Sequence, residues 1–205
     1  YVTIRFGIPS FITTLGTVFI VRGVVRFISA GQPHSFYPGE LMEDLITGSA
    51  AGIEAQFAWL IGFAIATYLL LNRHRLGDQM FAVGGNREAA IGVGIAVNRV
   101  KLIAFVLCAV MATVSGIFST VRINSVTPLR GFGLELQAIT VCVVGGLLLF
   151  GGRGSVLGIV VGAAFVYTVQ DVLLLLRALG NYFEVFVGVI AITAVAMNTR
   201  LAERR

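Results

Sequence analysis

Charged side chains are scarce in this chain. Asp, Glu, Lys and Arg make up 12% of 205 residues and hydrophobic residues 57%, whereas a soluble domain is about a quarter charged and nearer half apolar. With a mean hydropathy of +0.93, that shortage excludes a water-soluble globular domain and places the chain in a bilayer. Histidine and cysteine are nearly absent, at two each. His34 and His74 fall in opposite loops, so neither serves a serine buried in a span, which removes intramembrane Ser-His hydrolysis. A zinc constellation is excluded for want of His and Cys. Cys108 and Cys142 each lie inside an apolar run, where a thiol acts as a small packing residue, so neither a disulfide nor a metal site is inferred. The chain opens on Tyr1 without an initiator Met or signal peptide, from which an N-terminally truncated chain is expected. The net charge of +5 does not indicate nucleic acid, because the basic residues are scattered at span ends with no aromatic-interleaved basic face.

What is present is long apolar runs. A helix needs roughly 20 mostly apolar residues to cross about 30 Å of hydrocarbon. Uncharged runs lie at 6–21, 55–72, 102–121 and 136–152, and 154–199 holds two more, interrupted by Asp171, Arg177 and Glu184. Six helical segments are therefore expected. The runs are continuously apolar and rich in Leu, Val, Ile and Ala rather than alternating, which argues against a membrane β-barrel. The fold class is all-α, a polytopic transmembrane helical bundle read as a single domain over 1–205. The first run contains Pro9 and ends at Arg22 and Arg26, so its helix is short or broken, and the arginines either snorkel or face other helices. The run 136–152 is short and ends in Gly145-Gly146 and Gly151-Gly152, which is consistent with a broken or re-entrant helix.

Short cytoplasmic loops retain Lys and Arg. The loop 73–101 carries Arg73, Arg75, Arg87, Arg99 and Lys101 against Asp78 and Glu88, and the tail carries Arg200, Arg204 and Arg205 against Glu203. Both are assigned to the cytoplasm, and the even number of spans between them agrees. The loop 30–54, with Glu40, Glu43, Asp44 and Glu54, is assigned to the outside.

Polar groups at membrane depth are candidates for function because leaving them unpaired in lipid costs several kcal/mol. Gln170 and Asp171 follow a long apolar stretch, and either line a hydrophilic pathway or pair with a neighbouring helix. Asn124, Arg130 and Glu135 flank the outer ends of two spans, as ordinary interfacial polarity or as an outer gate. Gly154, Gly158 and Gly162 recur every four residues, a ridge for close helix packing. Gly152-Arg153-Gly154-Ser155 lacks the lysine of a phosphate-binding loop and reads as a tight turn.

The loop 73–101 is too long for a simple turn. Phe81, Ala82, Val83, Ala89, Ala90, Ile91, Val93 and Ile95 can build a short helix with one apolar and one charged face along the membrane surface. Within it, Glu88-Ala89-Ala90 followed by Gly94 exposes backbone for close docking, and Glu88 meets a basic partner or caps the helix start.

Glu-Ala-Ala-x-x-x-Gly in a cytoplasmic loop resembles the coupling segment of ABC importer permeases. Phe81-Ala82-Val83-Gly84-Gly85-Asn86-Arg87-Glu88-Ala89-Ala90 with Gly94-Ile95 is similar to the version in bacterial monosaccharide permeases of the ribose and xylose type. Ile8-Pro9-Ser10-Phe11-Ile12-Thr13-Thr14-Leu15-Gly16-Thr17 with Arg22-Gly23, Arg122-Ile123-Asn124-Ser125-Val126-Thr127-Pro128 with Glu135-Leu136-Gln137-Ala138-Ile139, and Phe150-Gly151-Gly152-Arg153-Gly154-Ser155 resemble further signatures of that family in order. Leu147-Leu148 stands where the family commonly has Thr-Ser, and Gln170-Asp171-Val172 where it commonly has an Asn-Gly pair.

The resemblance implies the C-terminal part of a longer permease in the bacterial inner membrane, moving a monosaccharide such as ribose or xylose. It implies two permease copies, as a homodimer or heterodimer, and a periplasmic sugar-binding protein. It also implies a cytoplasmic ATPase subunit that holds ATP and Mg, so that this chain binds no cofactor directly and is not itself an enzyme. Asn86, Glu88, Ala89, Ala90 and Gly94 are the residues it assigns to coupling, and Gly94→Trp or Ala90→Arg is expected to uncouple uptake from hydrolysis. Permeases for amino acids, nucleosides or a furanose-like signal remain alternatives, as do a secondary transporter and a non-transporting scaffold or truncated remnant.

Overall fold

The computed structural model describes residues 2–50, 52–148, 151–176, 185–190 and 192–193. In hydrocarbon every backbone N–H and C=O must be satisfied internally, and a helix achieves that within one segment. Accordingly the chain order is α1 (Val2–Phe6), α2 (Ser10–Ile28), β1 (His34–Ser35), α3 (Glu40–Thr47), β2 (Ser49–Ala50), β3 (Ile53–Glu54), α4 (Ala55–Arg73), α5 (Arg75–Gly85), α6 (Arg87–Gly92), α7 (Val97–Ile123), β4 (Ser125–Val126), α8 (Leu134–Val144) and α9 (Val156–Leu175). Among the described residues, α2, α4, α7 and α9 are long and apolar enough to cross a membrane. At ~1.5 Å per residue they run about 28 to 40 Å. Of the last expected segment and the basic tail, only 185–190 and 192–193 are described, and these are helical; Arg177, Glu184 and residues 194–205 lie outside the described residues.

The chain divides into two compact units, Tyr1–Ala58 with Phe105–Phe132 and Trp59–Ala104 with Gly133–Arg205. In the first, α2 is neither short nor broken, and it occupies Ser10–Ile28 rather than the uncharged run 6–21. Gly7, at φ +69°, separates it from α1. Pro9 sits at the N-cap, where its missing N–H had no intrahelical acceptor to lose. Arginine is a good helix former, so the helix continues through Arg22 and Arg26; a charge ends an apolar run without ending a helix. The Thr14 and Thr17 hydroxyls donate to the Ser10 and Thr13 carbonyls at 3.0 and 2.8 Å, which hides their polarity within the helix. Arg22 turns to its own unit: Nη2 donates to the Gly131 carbonyl at 3.2 Å, and Cζ lies 5.1 Å from the Phe132 ring centroid, a cation–π contact. Strands β1 and β4 pair antiparallel with His34 opposite Val126.

In the second unit the helices α8 and α9 pack antiparallel through glycine. A Cβ placed on Gly162 would lie 2.7 Å from the Val141 carbonyl oxygen and 2.8 Å from the Gly145 nitrogen, and one on Gly145 would lie 2.6 Å from the Gly158 carbonyl oxygen. Val141, Val143, Val156 and Val166 are buried here together with Gln137 and Thr140. The apolar run 136–152 yields only the 11-residue α8, about 16 Å long and roughly half of what a full crossing needs. It stops because Gly146 adopts φ +84°. The Gly146 N–H then donates to the Val143 carbonyl and the Leu147 N–H to the Cys142 carbonyl, both at 2.9 Å, a Schellman cap. By contrast α2, α4 and α7 have no buried side chains within their most apolar stretches, and Phe19 and Phe27 are 70% and 88% exposed. Apolar exposure of that extent suits helices whose solvent is lipid.

Candidate functional site

The segment from His74 to Ile95 is built by its caps. His74 Nδ1 accepts the Leu76 N–H at 3.2 Å and starts α5, which ends at Gly84-Gly85. Asn86 is extended, at φ −151° and ψ 106°, and its Oδ1 accepts the N–H groups of Glu88 and Ala89, both at 3.0 Å. That is an N-cap, and it starts the six-residue α6. Gly94 ends it at φ +82°: its N–H donates to Ile91 at 2.9 Å and that of Ile95 to Ala90 at 3.0 Å, again a Schellman cap. The polar block is therefore two helices hinged at Asn86, not the single amphipathic helix expected from its apolar content. Two local hydrogen bonds to an asparagine outweigh the periodicity, and the capping role considered for Glu88 belongs to Asn86.

The spacing from Asn86 to Gly94 thus has a structural meaning: N-cap at one end and left-handed cap at the other. Between them the faces separate. Ala90 is 2% exposed, so its side chain is buried within its own chain. Glu88 and Ala89 are exposed, as are Ile91 at 56% and Val93 at 76%. The sequence signal for this surface is two large apolar residues, Ile91 in α6 and Val93 at its C-cap, close to the charged Arg87 and Glu88. A cavity of about 340 Å³ adjoins Ile91, lined also by Arg87, Ala96, Val97, Asn98 and Arg99.

Immediately before this surface, α5 meets the turn that follows α8. A Cβ on Gly84 would lie 2.5 Å from the Gly152 nitrogen, one on Gly151 would lie 3.0 Å from Gly84 Cα, and one on Gly152 would lie 2.7 Å from Gly85 Cα. Backbone here touches backbone with no space for a side chain.

Among the polar candidates in the spans, Gln170 is half-buried and accepts the Nε2–H of Gln137 on α8 at 3.2 Å. Gln137 is 9% exposed. Gln170 thus has a partner on the neighbouring helix, whereas Asp171 is exposed, one residue and about 100° further round the helix. Gln137 stands within Glu135-Leu136-Gln137-Ala138-Ile139, inside the apolar run 136–152. Its four-residue offset from Val141 places it on the face that meets α9. Glu135 is half-buried in the first turn of α8, where the helix N-terminus favours a carboxylate. Asn124 belongs to the other unit. Its φ of +51° turns the chain from α7 into β4, and its carbonyl accepts the Phe36 N–H at 3.1 Å. Arg130 donates to the carbonyl and hydroxyl of Ser119, both at 3.3 Å. Gly158 and Gly162 lie on α9 against α8, while Gly154 precedes the helix, whose N-cap Ser155 accepts the Gly158 N–H at 3.0 Å. Among the described residues no three His, Cys, Asp or Glu side chains converge to hold a metal ion.

The family model described as branched-chain amino acid transport system / permease component matches residues 1–195. The chain is 34% identical to an autoinducer 2 import system permease protein of Klebsiella pneumoniae over 96% of its own length and 57% of the relative's. It is 32% identical to a D-allose transport system permease protein of Escherichia coli, over 96% of this chain and 60% of that one. A ribose import permease protein of Escherichia coli is 31% identical over 94% and 61% respectively. The chain therefore spans about three fifths of the length of these relatives. No solved structure matches.

Proposed function

The chain belongs to the family of branched-chain amino acid transport system / permease components, and on that premise we propose that it is part of the membrane-spanning subunit of an ATP-driven importer. Its substrate in this reading is a monosaccharide, and its location the bacterial inner membrane. The observation that carries the reading is the capped helix α6, which holds Glu88 and Ala89 outward on a short rigid element between Asn86 and Gly94. Such an element suits docking, because its local caps keep its shape while a partner grips it. The partner is a cytoplasmic ATPase subunit, which binds ATP with Mg and performs the hydrolysis. Nucleotide-driven closure of the ATPase moves α5 and α6, and the spans rock so that access alternates between the two membrane faces. A second permease copy completes the pathway and a periplasmic sugar-binding protein delivers the substrate.

The sugar assignment is supported by relatives named for ribose and D-allose import and by neutral amides at depth. The Gln137–Gln170 pair offers hydrogen-bonding groups suited to hydroxyls without a buried charge. The test is uptake by the complete transporter in proteoliposomes, with ribose, allose, xylose, a furanose-like signal, a nucleoside and a branched-chain amino acid compared. ATP-dependent uptake of a monosaccharide supports the reading. Preference for the amino acid, nucleoside or signal replaces the substrate, and absence of any uptake with a bound ATPase leaves a non-transporting scaffold.

The docking surface is tested by Glu88→Arg with Ala89→Arg, because both positions are exposed and neither disturbs a cap. Uptake should fall by roughly two orders of magnitude, as expected where one partner of a central charged contact is reversed, with membrane insertion unchanged; uptake at the parent rate would remove Glu88 and Ala89 from the interface. Ala90→Arg and Gly94→Trp are poorer probes, since burial at Ala90 and the left-handed backbone at Gly94 make each disrupt α6 itself.

A further inference from the structure

Four glycines in the second unit form a contact whose purpose is not explained by either helix alone. Gly84 and Gly85 end α5, and Gly151 and Gly152 lie in the turn between α8 and α9, at φ +88° and +84°. The left-handed conformation accounts for glycine at 151 and 152. It does not account for Gly84, which lies within a helix, where glycine is disfavoured relative to alanine. What accounts for Gly84 is the Gly152 nitrogen 2.5 Å from where its Cβ would stand. Gly85 is different: a Cβ there would meet Gly152 Cα at 3.9 Å, an ordinary contact. The closeness continues into the membrane pair, where Gly145 and Gly162 leave no room for a side chain between α8 and α9.

We propose that the Gly84–Gly152 contact is a backbone joint that passes displacement of the α5–α6 segment directly to the α8–α9 pair. A joint between side chains would absorb a small movement in rotamer changes, whereas backbone pressed on backbone has no such slack, because packed interiors shift as units. The α8–α9 pair then moves as one body, carrying Gln137 and Gln170 with it. This inference rests on the coupling role given to α5 and α6 above.

The test uses the intact permease with its ATPase and compares Gly84→Ala with Gly85→Ala and Gly62→Ala. Gly62 lies in α4, outside the docking segment, with open space around its Cβ, so it controls for the effect of alanine within a helix, and Gly85 controls for position. The joint predicts that Gly84→Ala binds the ATPase and hydrolyses ATP while substrate moved per ATP falls by roughly tenfold, a change of the size seen when coupling residues are altered, and that the other two stay near parent values. Equal behaviour of Gly84→Ala and Gly85→Ala, or transport per ATP unchanged in Gly84→Ala, overturns it. A measurement on the unaltered complex covers the case in which Gly84→Ala fails to accumulate. Addition of a non-hydrolysable nucleotide should change amide hydrogen exchange at 82–85 and at 141–147 together, and a change confined to 75–95 overturns the joint. Failure of the underlying reading has its own signature, since an ATPase that does not co-purify with the parent permease removes the coupling role itself, and the joint with it.

Discussion

Gln137 and Gln170 show what a polar residue costs in an apolar helix pair and how that cost is offset. The single hydrogen bond between them, at 3.2 Å, is worth on average about 0.6 kcal/mol in a membrane setting, yet leaving either amide alone costs about 1 to 3 kcal/mol. Gln137→Leu should therefore lower the stability of the detergent-solubilised protein by about 1 to 2 kcal/mol. The double variant with Gln170→Leu should recover much of that loss. Thermal melts of the two singles and the double form the cycle, and strictly additive losses would mean the two amides do not depend on each other. That a polar group at Gln170 needed a partner was legible in its position deep in an apolar run. Which partner it takes was not, because an offset of 33 residues along the chain is closed only when α8 and α9 cross. Asn124 makes the same point in the other direction: nothing in its neighbours announces a positive φ, and the backbone turn into β4 demands it.

At the scale of the element, the structure turns on caps more than on hydrophobic periodicity. The helix α6 has six residues, far below the about 12 to 15 at which an isolated helix becomes even marginal in water, so it depends on its ends. Asn86→Ala removes two hydrogen bonds and should cost about 1 kcal/mol, whereas Asn86→Asp or Asn86→Ser should retain most of the cap. Amide exchange across 87–93 reads this directly; equal exchange in the Ala and Asp variants would show that packing of Ala90, not the cap, holds α6. The pair α8 and α9 obeys a steric rule instead. Gly162→Leu places a side chain where the Val141 carbonyl and the Gly145 nitrogen already lie within 3 Å of a Cβ. Overpacking of this kind costs about 1 to 3 kcal/mol, and it should separate the helices enough to expose Gln137. The glycine ridge was visible as a four-residue period in the sequence. Its partner surface was not, and Gly154 fell off the helix because Ser155, a better N-cap, starts it one residue later.

For the whole molecule, orientation is the first-order question, and the distribution of Lys and Arg predicts a cytoplasmic 73–101 segment by a rule that needs no coordinates. In a background with Cys108 and Cys142 replaced by alanine, Glu88→Cys should react with a membrane-impermeant maleimide only in inside-out vesicles, and Glu43→Cys only in right-side-out cells. The reverse pattern would invert the topology and remove α6 from the reach of any cytoplasmic ATPase. Solvent class, helical spans and the existence of a polar segment at 73–101 follow from composition, because the transfer of apolar residues into lipid is a sum over residues and is insensitive to their partners. The termini of those helices are another matter. Caps at Asn86, Gly94 and Gly146 arise from local hydrogen bonds that a hydropathy average does not register. Likewise the Gln137–Gln170 pair and the contact of Gly84 with Gly152 join residues far apart in the chain. They exist because close packing matches shapes in three dimensions, a condition that no single stretch of residues contains.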